Sequence, residues 1–423
     1  MVKRALLFLL VILTLSANAF ADKILINMDL KQTDHLKAYG VAYWVLTRGE
    51  KVEWLLNYRG GSFLAPGDAE IAERCRLLGV SFELVSPAQE ARIRTTIEDN
   101  NMESVLLEKA PKIAIYAPPD SKKEPWDDAV NLALTYAEIP FDVIWDDDIL
   151  EGKLKDYDWV HLHHEDFTGQ YGKFYASYRN TIWYKRNVRI NEETAKKLGF
   201  KKVSKLKLAV VRELKKYIAS GGFLFAMCSA TDTFDIALAA GNTDIVPSVF
   251  DGDPVDPDCV KKLDYSKTLA FENFTPVLDP LVYEHSDIDT SPTNGTQILG
   301  PEADYFILFD FSAKYDPIPT MLVQDHTNAV KGFLGQCTGF HKRFLKKYIT
   351  ILGESKDKDE VKYIHGKYGA GTFTFLGGHD PEDYQHRIGD PPTNLELHKN
   401  SPGYRLILNN VLFPAAKKKE RKT

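Results

Sequence analysis

Cysteine is scarce in this chain. Four residues of 423 (Cys75, Cys228, Cys259 and Cys337) are too few for a disulfide scaffold. An excess of basic charge is also missing. Lys and Arg number 53 against 59 Asp and Glu, a net charge of −6 that offers nucleic acid no electrostatic footprint. Past the first 21 residues no apolar run approaches the roughly 20 residues that cross a bilayer, so no integral segment is expected in the mature chain. Internal repeats and low-complexity tracts are absent too.

What is present begins with an export signal. Lys3 and Arg4 supply a positive start, residues 5–15 an apolar run, and Ala19-Phe20-Ala21 a small-x-small cleavage site. The expected mature chain starts at Asp22 and is exported, to the periplasm or beyond.

Strand and helix signals then alternate. Residues 23–28, 52–56 and 80–85 read as strands, and 33–46, 68–78 and 87–100 as helices. The β-α-β order predicts a parallel unit in an N-terminal α/β region over 22–110. The pattern restarts at residue 111. Strands are expected at 112–116, 141–145, 159–163, 223–227, 305–311, 320–324 and 372–376. Helices are expected at 126–138, 205–219, 229–240, 342–351 and 402–412. Residues 168–204 and 242–300 read as insertions, 356–360 as a solvated turn and 417–423 as a basic tail. The expected fold class is α/β, a mostly parallel sheet with helices on both faces. Its sites belong outside the C-terminal ends of the strands.

The sharpest chemical signal is the run from Gly221 to Ala230. An apolar strand enters Cys228 and leaves through Ser229 and Ala230 into a helix, the logic of a nucleophile elbow. The helix N-terminus is expected to favour a thiolate, and the Ser229 N–H to help bind an oxyanion. A thiolate needs a base. His379 follows a strand through Gly377-Gly378, and Asp380 and Glu382 stand ready to orient its ring.

These features resemble the class I glutamine amidotransferase-like superfamily over residues 112–414. Its glutaminase members carry Gly-x-Cys-x-Gly between strand and helix, and a late strand-end His-Pro-Glu. Here the corresponding residues are Ala226-Met227-Cys228-Ser229-Ala230 and His379-Asp380-Pro381-Glu382. Both elbow glycines are alanines, and one residue separates His379 from the Pro-Glu pair. The resemblance implies a flavodoxin-like domain over 111–416 and an oxyanion donor after the third strand, for which Gly169 is the candidate, with Glu165 in the same loop. The whole chain also resembles exported Bacteroidetes-type proteins that carry the label asparagine synthetase B. The matching stretches are residues 37–44, 55–63 and 163–169. An ATP-pyrophosphatase loop is missing, since Ser220-Gly221-Gly222 continues as Phe223-Leu224-Phe225.

The second cluster is His161-Leu162-His163-His164-Glu165-Asp166. On a strand His161 and His163 share one face and His164 takes the other. No metal or other cofactor is expected. The competing reading is a divalent-metal site on His161 and His163 with His379, although no fourth ligand at defined spacing is visible. The leading expectation is therefore an exported Cys-His amidase or hydrolase acting on a small or envelope-derived substrate. Its alternatives are a non-catalytic binding module in the same crevice and a metal-dependent enzyme built on residues 161–166.

Overall fold

The computed structural model describes residues 23–119, 128–316, 318–323, 328–356 and 358–416. The expected signal peptide and the tail 417–423 lie outside them. Among the described residues no helix is long and apolar enough to cross a membrane.

The N-terminal region runs β1 (Lys23–Ile26), α1 (His35–Thr47), β2 (Val52–Leu56), β3 (Ser62–Pro66), α2 (Ala69–Leu78), β4 (Glu83–Val85), α3 (Pro87–Asp99) and β5 (Glu103–Leu107). Its helices start and stop for local reasons. Asp34 caps α1 by accepting from the Lys37 N–H, Asp68 caps α2, and Gly79 ends α2 at φ 68°. The five strands lie in the order β4-β1-β3-β2-β5, and every pairing is antiparallel. The expected parallel β1-α1-β2 pair is thus corrected. Asn57 and Arg59 at positive φ, with Gly60 and Gly61, fold β3 back between the two strands.

The second sheet is mixed. It contains β6 (Ile113–Tyr116), β7 (Asp142–Ile144), β8 (Trp159–Leu162), β9 (Phe223–Met227), β10 (Tyr305–Leu308), β11 (Ala329–Lys331), β12 (Thr350–Glu354), β13 (Val361–Tyr368) and β14 (Gly371–Leu376). Their order is β11-β10-β12-β13-β14-β9-β8-β6-β7. The half from β14 to β7 is parallel, and the half from β13 to β11 is antiparallel. Within the parallel half the strands stand in chain order 2-1-3-4-5. The main helices around this sheet are α4 (Ala129–Tyr136), α5 (Asp146–Leu150), α6 (Ile182–Lys197), α7 (Val203–Ala219), α8 (Ser229–Ala239) and α9 (Pro402–Leu412).

Central strand β9 shows why both faces are covered. Phe223, Phe225 and Met227 enter a core shared with α1, α4 and α9, while Leu224 and Ala226 enter a core with α7 and α8. The first core also takes Trp54 and Phe63 from the small sheet, so the N-terminal region packs onto the large one.

Two expectations fail here. Residues 342–351 are a short 3-10 turn (Lys342–Phe344) followed by the start of β12, and residues 319–322 form a 3-10 turn. Pairing with β13 overrides the apparent helical spacing of the first. Residues 168–204, read as an insertion, contain the 16-residue helix α6, whose Tyr184, Asn191 and Ala195 face inward at helical spacing.

Candidate functional site

A cavity of about 890 Å³ opens at the C-terminal ends of β8, β9 and β14. Cys228, His379, His164, Glu165 and Gly169 all line it. Strands β9 and β14 are immediate neighbours, with Met227 opposite Leu376, so Cys228 and His379 leave adjacent strand ends. Both expected insertions build the outer wall. Residues 168–204 give the mutually packed rings of Phe174, Tyr178 and Trp183, and residues 242–300 give Tyr283, 5.7 Å from Phe174.

Cys228 sits between β9 and α8 with φ 50° and ψ −140°. That conformation is strained for any residue with a Cβ, and it is the turn an elbow requires. Its Sγ accepts the Gln336 N–H at 3.3 Å, and the Cys337 and Ser229 amides also act to lower its pKa. Burial nevertheless prevails over those donors and pushes the thiol up to about 11. The expected stabilised thiolate is corrected for the resting protein: desolvation outweighs the helix N-terminus. The alkylation rate of Cys228 should therefore rise about tenfold per pH unit from about pH 8 to about pH 10. Site-mapped labelling checks this, and a plateau below about pH 8.5 would contradict it. All four cysteines are unbridged and buried.

His379 is fixed through its backbone. Its N–H donates to the Leu334 carbonyl at 2.9 Å. Before it, Gly378 has φ 93° and lies so close to Phe333 that a Cβ would fall 2.5 Å from the ring. The His379 ring stacks on His386 at 4.3 Å, meets His163 edge-on at 4.5 Å and lies 5.7 Å from His164. Burial first, and then the neighbouring imidazoles, hold it well below the usual histidine range.

The expected acid partners do not reach it. Asp380 accepts from the Tyr404 hydroxyl at 2.9 Å and from the Glu382 N–H at 2.9 Å. Glu382 pairs with His398 at 2.9 Å. Both carboxylates are engaged away from His379, so the predicted Cys-His-acid triad is not assembled.

The histidine run behaves differently from an extended strand. β8 ends at Leu162, so the alternation that put His164 on the opposite face no longer applies. His164 comes within 5.1 Å of His163 instead. Behind them stands Asp128, which caps α4 by accepting from Val130 and Asn131. Its oxygens lie 3.3 Å from His161 Nε2 and 3.5 Å from His163 Nδ1. Burial tends to raise its pKa, but the two histidines and the Asn131 N–H hold Asp128 far below the carboxylate range. His161 Nδ1 meets the Phe225 carbonyl at 3.1 Å. Glu165 accepts the His163 N–H at 3.0 Å, and burial raises its carboxyl to about 8.

Sequence reasoning missed Asp128, Tyr283, Gln336 and His386. A signal for Gln336 was available in the glycine spacing of Gly332, Gly335 and Gly339. A Cβ at Gly335 would stand 2.9 Å from the Gly378 and His379 backbone, so this loop must lie flat on the strand end.

No family model and no curated protein matches this chain. Among solved structures it is similar to the cytoplasmic protein STM3548 from Salmonella typhimurium, at 10% identity over 73% of this chain and 100% of that one, with a TM-score of 0.33. The cytoplasmic protein STM1381 from Salmonella typhimurium LT2 gives 11% identity, 72% and 99% coverage and a TM-score of 0.34. An exo-β-1,4-mannosidase from Opitutaceae bacterium strain TAV5 gives 12% identity over 69% of this chain and 35% of that one, with a TM-score of 0.28. Overlaps this low assign no activity to the cavity, so its reading rests on its own residues.

Proposed function

We propose that this chain is an exported hydrolase of the class I glutamine amidotransferase-like, flavodoxin-like type, with Cys228 as its nucleophile. The observation that carries the reading is the strained Cys228 backbone at the edge of a large cavity. Two features of the fold support it. The parallel strand order is that of flavodoxin-like sheets, and the elbow and His379 follow the fourth and fifth of those strands.

In this reading Sγ attacks the carbonyl carbon of an amide or ester. The leaving amine or alcohol departs with a proton, and water then cleaves the thioester. The N–H groups of Gly169 and Ser229 hold the oxyanion, while Asp166 takes the Thr168, Gln170 and Gly172 amides of the same loop. A thiol held near 11 must lose its proton during the attack rather than before it. The group that takes the proton belongs to the cavity, where His379, His164 and Glu165 stand.

An activated p-nitrophenyl ester tests this. Its acyl group should add to Cys228 with release of p-nitrophenolate, read by intact mass and peptide mapping. Cys228→Ala should lower nitrophenolate release by at least about 100-fold. Undiminished release by that variant, or acylation elsewhere only, would remove Cys228 from the chemistry.

A further inference from the structure

The residues around His379 point to a second device in the same cavity, one that a Cys-His pair does not need. Nitrogens of His163, His164 and His379 all lie within 4.8 Å of one another. Imidazole nitrogens on a tetrahedral ion, bonded at 2.0–2.1 Å, stand roughly 3.4 Å apart. Side-chain shifts of about 1 Å or less would close the set around an ion. We propose that His163, His164 and His379 bind one divalent transition-metal ion of the zinc type, with its open position facing the cavity.

Three independent observations carry this assignment. First, Nε2 of His163 and Nδ1 of His379 are buried without a hydrogen-bond partner. Orphaned buried polar atoms are costly and call for an explanation such as an ion. Second, Asp128 stands 3.5 Å from His163 Nδ1. A carboxylate there keeps the proton on Nδ1 and turns Nε2 toward the cluster, as second-shell acids do for metal-ligating histidines. Third, His164 and His379 line the cavity while His163 lies behind them, so an ion they share has protein on one side and space on the other. Three protein ligands with a free position are the pattern of catalytic rather than structural zinc. An all-imidazole set suits zinc, iron, cobalt or nickel, and does not suit magnesium or calcium.

This goes beyond the Cys228 reading and does not rest on it. An ion here makes His379 a ligand and removes it from proton transfer. His386, stacked on His379 and held by Asp383 at 2.9 Å, then serves as packing for the ligand ring.

The test uses tag-free mature protein, stripped with a chelator and titrated with Co(II) and Zn(II). One equivalent of Co(II) should produce the absorption bands of a four-coordinate ion. His163→Gln and His379→Gln should each weaken binding by at least about 100-fold, the upper end of what loss of an outer-shell partner alone costs. Cys228→Ala should retain full stoichiometry, so failure of the hydrolase reading and failure of the metal site give different results. Asp390→Asn serves as a control. Asp383, His386 and Asp390 form a more exposed group with the same reach, and binding that follows this variant while ignoring His163→Gln overturns the proposal. Absence of binding at micromolar Co(II) and Zn(II) also overturns it. X-ray absorption at the zinc edge of the wild-type protein counts the imidazoles, so the test holds even where a glutamine variant fails to fold. Three are expected, and one or none refutes the site.

Discussion

Gly40→Ala should destabilise the protein by about 3 kcal/mol or more, enough to show as a large shift in the urea midpoint. A methyl group at this position would stand 1.8 Å from the Ala137 carbonyl oxygen, just past α4. That neighbour is backbone, so relief requires α1 and α4 to move apart. Both helices belong to the core that joins the two sheets, and the gap would open in the middle of it. Gly49→Ala is the matched control. Gly49 has φ 79° but nothing within 4 Å of its would-be Cβ, so it carries conformational strain of about 1 kcal/mol without overlap. Near-equal midpoints for the two variants would mean that α1 and α4 are not in such close contact.

Lys207→Met should cost about 3–5 kcal/mol. Lys207 reaches from α7 to Asp146 at 2.9 Å and donates to the Tyr116 hydroxyl at 2.9 Å; the same hydroxyl donates to Asp146. All three groups are buried, and the ammonium also lies 4.1 Å from the Trp145 ring. Removing the cation leaves the buried Asp146 carboxylate without its charge partner. The double variant Lys207→Met with Asp146→Leu should recover most of the loss, because the penalty comes from the stranded charge rather than from the missing attraction. A double variant no more stable than Lys207→Met alone would assign the loss to packing against Trp145. Lys207 also lines the cavity wall, so the same melts should be repeated with the ester probe bound.

The parts of the fold legible in the sequence are those written locally. The run into Cys228 names strand β9 by its apolar residues, the small residues beyond Cys228 name helix α8, and α9 falls where Pro402 and Leu412 mark it. Strand β13 was not legible. Lys362, His365 and Lys367 interrupt its apolar pattern, and nothing local reveals that Lys362 is buried with carbonyl partners at Phe333 and Thr338. The site divides in the same way. Cys228 and His379 could be read because each closes a strand with small residues around it. The fate of Asp380 and Glu382 could not, because Tyr404 and His398 arrive from the far C-terminal segment. The histidine run announced ligand chemistry, but its membership depends on where β8 stops, one residue before His163. Asp128 enters the cluster only through the tertiary placement of α4.

The Lys362 ammonium holds the carbonyls of Phe333 and Thr338 at once, across the loop that lays Gln336 on Cys228. A clamp that grips both ends of a loop sets its length. Insertions between residues 333 and 338 would unseat the amide from the thiol, so natural variation in length should gather elsewhere. The turn between β13 and β14, at the exposed Gly369 and Ala370, offers such a place, since it lies at the end of the sheet opposite the cavity. Engineers wishing to attach a reporter or a second domain should splice there, where the chain can lengthen without disturbing what the clamp holds.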